Sequence, residues 1–75
     1  MIYKTEEGES VSGDSLFHIA QDLKNGSRFA SNQNLSQFME GFAERYKDYS
    51  GNVVRHDTAN AFIQDLIFFG YLTKA

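Results

Sequence analysis

Three residues of this 75-residue chain stand at a spacing that could bind a metal, because Asp14, His18 and Asp22 lie four positions apart. On an α-helix such residues share one face, so two carboxylates and one imidazole would form a single stripe. These are ligand types that hold divalent cations. The sequence supplies no fourth ligand nearby, and the same spacing is typical of a solvated helix face with i, i+4 pairs. We keep the stripe as the metal candidate but expect no metal and no other cofactor.

The sequence offers no catalytic group with a recognisable partner. His56 precedes Asp57, but there is no Cys, and no Ser lies in a G-x-S-x-G turn. Paired carboxylates such as Glu40 and Glu44 would need a pocket that separates their pKa values, and a chain this short has little volume for one. We predict no catalytic residue and no small-molecule substrate, and hence a protein that is not an enzyme.

Three segments with helical periodicity must position any site: residues 14–24, 35–49 and 58–69. In the second segment the apolar residues fall within roughly 140° of the helical wheel. They are Leu35, Phe38, Met39, Phe42, Ala43, Tyr46 and Tyr49. We expect Phe38, Phe42 and Tyr46 to face Phe62 and Leu66 of the third segment.

Residues with capping side chains precede each helical segment. Ser12 or Asp14 could cap the first helix, and Asp57 the third. Asn34 with Gln37 three positions later resembles a capping box. Each segment is followed by a glycine, which is typical of helix ends.

Short β-prone stretches flank the helices. Residues 2–5 and 9–11 surround Gly8 and favour a hairpin, and residues 53–55 and 71–73 are further β-prone triplets. The predicted fold is therefore mainly α: one domain over residues 1–75, with three helices and a minor β element made of the N-terminal hairpin and a C-terminal strand.

The composition indicates a folded, water-soluble chain. Hydrophobic residues make up 41% and aromatic residues 15%, which argues against disorder. There is no signal-peptide-like leader, and the longest apolar run, residues 66–69, is far shorter than the roughly 20 residues of a membrane span. We expect a cytoplasmic protein with no membrane partner. In size, acidity and lack of a catalytic signature the chain is similar to small accessory proteins of bacteria and their phages, a likeness that no particular residue carries.

Some aromatic residues lie outside the three apolar faces. Phe68 falls about 100° from both Ile67 and Phe69 on the wheel, on the side of Asp57, Ala61 and Gln64. Exposed aromatics beside arginine are typical of protein–protein interfaces. The candidate partner-binding residues are Phe68, Tyr71, Phe17, Arg28 and Arg55, whereas Phe29 is expected to close the core.

Three functions remain open at this point. The leading hypothesis is a protein-interaction module or small regulator that binds a larger protein or associates with itself. The alternative is a helical DNA-binding domain, in which Asn60 and Gln64 of the third helix could pair with adenine. Against it stand the formal net charge of −3 and the seven residues from Gly51 to Asp57, since a helix-turn-helix joins its helices by three or four. The third is a small metal- or ligand-binding protein.

Overall fold

A computed structural model describes residues 1–26 and 33–75 of the chain. Within these ranges the fold is mainly α, with three helices and a small antiparallel sheet, as the sequence predicts. The elements follow in the order β1 (Ile2–Thr5), β2 (Ser10–Ser12), α1 (Leu16–Asn25), α2 (Leu35–Ser50), α3 (Ala59–Phe68) and β3 (Leu72–Lys74).

The ends of α2 are those that the local sequence predicts. The Asn34 side chain accepts a hydrogen bond from the backbone N–H of Gln37 at 2.8 Å, and the Gln37 side chain accepts one from the N–H of Asn34 at 3.1 Å. This reciprocal pair is the predicted capping box. At the other end Gly51 adopts a φ of 78°, a left-handed conformation that favours glycine, and its N–H donates to the carbonyl of Lys47.

The caps of α1 and α3 differ from the prediction. Ser15, rather than Ser12 or Asp14, caps α1, because its Oγ accepts from the N–H of His18. Thr58, rather than Asp57, caps α3 through its Oγ1. Both cap residues have an extended backbone and lie next to the first helical residue, which allows their oxygens to reach the free amides of the first turn.

The predicted N-terminal hairpin forms the centre and one edge of the sheet, whose strand order is β2-β1-β3. Tyr3 pairs with Val11 on one side and with Lys74 on the other. The turn passes through Gly8, whose φ is 87°. Thr5 is the one buried polar side chain of this turn. Its Oγ1 accepts hydrogen bonds from the backbone N–H groups of Glu7 and Glu9, so its hydrogen-bonding capacity is used within the turn.

Of the two other β-prone triplets, at residues 53–55 and 71–73, only one forms a strand. The last one, predicted at residues 71–73, forms β3 over Leu72–Lys74 and pairs with β1. Residues 53–55, in contrast, form no strand. The backbone N–H of Arg55 donates to the carboxylate of Asp65 in α3 at 2.9 Å. This hydrogen bond replaces the one that the N–H would make to a neighbouring strand.

An aromatic cluster joins α2, α3 and Tyr71, the residue that precedes β3. Phe62, which is fully buried, has its ring centroid 6.3 Å from that of Phe38 and 5.5 Å from that of Phe42. The ring of Tyr71 lies 5.0 Å from Phe42 and 5.8 Å from Tyr46, in both cases edge to face. The predicted contacts of Phe38 and Phe42 with Phe62 are confirmed, whereas the ring of Tyr46 meets that of Tyr71. These rings supply much of the apolar burial on which so small a domain depends.

Candidate functional site

One side of α3 faces solvent along its whole length. Asn60, Gln64 and Phe68 are spaced four residues apart and are all exposed, and we call these three residues the α3 stripe. The helix folds this way because Phe62, Ile63 and Leu66 occupy the buried side. The stripe contains no charged residue.

Phe68 is the most exposed large apolar side chain of the described residues, with 81% of its surface accessible. Its ring contacts that of the following, half-buried Phe69, at a centroid distance of 5.2 Å. The helical wheel correctly placed Phe68 beside the exposed Gln64, although Ala61, expected on the same side, is buried. Leaving a phenylalanine in water forgoes roughly 1.5–3 kcal/mol of burial free energy.

The chain beyond α3 does not cover Phe68. Gly70 has a φ of 84° and turns the backbone toward the sheet, where Leu72 pairs with Thr5 of β1. Tyr71 and Leu72 are both buried in the core by this turn. The direction of the C-terminal segment therefore removes the nearest apolar residues from the surface and leaves the Phe68 ring outside.

Tyr71, a candidate partner-binding residue, belongs to the core, with 5% of its surface accessible. Its ring closes the aromatic cluster beside Phe42 and Tyr46. Burial raises the pKa of its phenol to about 12, and the nearby carboxylates of Glu7 and Glu6 add to the increase. Tyr71 thus contributes to stability and is not part of an exposed surface.

An ion pair borders the α3 stripe. The Arg55 guanidinium donates to both carboxylate oxygens of Asp65, at 2.9 and 3.0 Å, and its backbone N–H donates to the same group. The hydrogen bonds from the Arg55 side chain hold the pKa of Asp65 below its usual value. Since Asp65 lies three residues before Phe68, these opposite charges neutralise each other next to the exposed ring.

The remaining aromatic and basic candidates are not brought to this surface by any described contact. Phe17 is 46% exposed on α1, and its ring meets the neighbouring His18 edge to face at 5.7 Å. Arg28 and Phe29 lie outside the described residues.

Two of the three metal candidates, His18 and Asp22, are engaged in structural hydrogen bonds. The Asp22 carboxylate accepts the backbone N–H of Ser12 at 2.9 Å, which fastens α1 to the edge of β2. The His18 ring nitrogen Nδ1 is hydrogen-bonded to the Oγ of Ser15 at 3.0 Å. Across residues 1–26 and 33–75, no three His, Cys, Asp or Glu side chains form a group that could hold a metal ion.

Two residues that make important contacts in the structure, Gly13 and Asp65, were not identified from the sequence. A Cβ atom on Gly13 would lie 2.6 Å from the Cβ of His18, so only glycine allows β2 to pass this close to α1. The second is Asp65, to which the sequence analysis assigns no role. Its pairing with Arg55 across ten residues and an irregular segment leaves no local signal in the sequence.

No protein-family model, no curated protein and no solved structure matches this chain. In the described parts of the chain, each helix is too short or too polar to cross a bilayer.

Proposed function

We propose that this protein acts in the cytoplasm as a small, non-enzymatic module that binds a larger protein through the α3 stripe. The observation that carries this proposal is the exposure of Phe68, at 81%, on a helix whose other large apolar residues are at least half-buried. An exposed aromatic ring at the end of a rigid helix is the kind of anchor that dominates the energy of protein–protein interfaces.

The charge distribution around Phe68 favours an uncharged partner surface. The stripe offers one ring and two carboxamides, and the Arg55–Asp65 pair next to it is already internally neutralised. A partner with an apolar pocket for the ring and hydrogen-bonding groups for Asn60 and Gln64 would complement this surface. Because few net charges would meet, we expect an affinity that changes little with salt.

A non-enzymatic role fits the hydrogen bonds of the polar candidates. The Ser15 and His18 side chains bond to each other at the start of α1, and Asp22 anchors β2. Each of these groups has a structural partner that explains its position without a substrate.

DNA binding is less well supported by the same surface. Asn60 and Gln64 are exposed and could pair with adenine, but α3 carries no Lys or Arg, and the guanidinium of Arg55 beside it is bound to Asp65. The connection from α2 to α3 comprises residues 51–58, longer than the turn of a helix-turn-helix. We expect binding to random duplex DNA to be weaker than about 10 μM at physiological salt. Submicromolar binding with a steep salt dependence would favour the DNA-binding alternative.

The test compares Phe68→Ser with Val53→Ser as the matched control. Val53 is also exposed and apolar, at 66%, but lies in the connection between α2 and α3. Immobilised parent and variant proteins would be incubated with extract of the source cell, and the retained proteins identified by mass spectrometry. We expect a protein that the parent and Val53→Ser retain and that Phe68→Ser loses.

Sedimentation equilibrium of the same three proteins separates a foreign partner from a second copy. A dimer that only Phe68→Ser converts to a monomer would identify self-association through the stripe. If the parent is a monomer and Phe68→Ser retains every protein that the parent retains, the stripe is not a binding surface and the proposal fails.

A further inference from the structure

We draw no further inference here: the strongest candidate, the shallow groove between α2 and the connection to α3 that is lined by Glu44, Lys47, Val53 and His56, carries none because nothing in the structure shows what covers it.

Discussion

Two phenylalanines of α3 provide a direct test of the fold, because they lie six residues apart in environments of opposite kind. Phe62 is fully buried between the rings of Phe38 and Phe42, whereas Phe68 is 81% exposed. Replacement of each by alanine removes the same atoms from the same helix. The difference in unfolding free energy between the two variants therefore chiefly reports burial.

The expected magnitude for Phe62→Ala follows from its position. Removal of a fully buried phenylalanine costs about 3–5 kcal/mol through lost transfer free energy and the remaining cavity. A domain of 75 residues has about 4–11 kcal/mol of total stability. At about 4–8 °C per kcal/mol for a domain of this size, the melting temperature should fall by at least about 12 °C. Phe68→Ala should change stability by no more than about 0.5 kcal/mol.

Urea and thermal unfolding, followed by far-UV circular dichroism, measure both variants against the parent. Similar slopes with urea would show that the midpoints report stability and not a change in the unfolded state. Equal melting temperatures for the two variants would refute the assignment of Phe62 to the core. A loss of more than about 2 kcal/mol in Phe68→Ala would mean that its ring is buried in solution, and would also remove the basis of the proposed interaction surface.

Three further substitutions test other contacts, each by urea unfolding. Gly13→Ala should destabilise by about 1–3 kcal/mol, because the added Cβ would lie 2.6 Å from that of His18; a stable variant would contradict the close approach of β2 to α1. Gly41→Ala should stabilise α2 by up to about 1 kcal/mol, since the new Cβ would meet only the mobile end of Arg45 within the described residues, at 3.4 Å; destabilisation would indicate a tighter contact there. Asp65→Asn should destabilise at neutral pH and flatten the acid side of the stability profile: a lowered pKa in the folded state stabilises above the unfolded value of about 4, and that stabilisation is lost as the pH falls through the folded pKa. An unchanged acid profile would show that the ion pair with Asp65 does not contribute to stability.

Elements that depend on neighbouring residues could be read from the sequence. The periodicity of α2 and its Asn34–Gln37 box predict the helix almost to its ends, because both act within one or two helical turns. The hairpin around Gly8 follows from equally local signals. The caps of α1 and α3 were displaced by one residue or more, since several adjacent residues can cap a helix and the backbone conformation decides among them.

In the candidate surface, too, local features could be predicted and features that depend on distant residues could not. The wheel position of Phe68 relative to its own helix is a local property, and its exposure could be predicted from it. Tyr71 begins a predicted β-prone triplet that is too short for its alternation to indicate which side is buried, so its burial could not be predicted. It depends on the turn at Gly70 and on the aromatic residues of α2.

Local sequence patterns are sufficient to predict the three helices, the hairpin and the outward direction of Phe68, because helical and strand periods relate residues that are close along the chain. Tertiary packing, in contrast, brings Arg55 to Asp65 and Ser12 to Asp22, and directs the chain after Phe68 into the sheet instead of over the ring. These contacts join residues ten or more positions apart. These contacts form only when the elements pack against each other. The spacing of the contacting residues along the sequence therefore does not predict them.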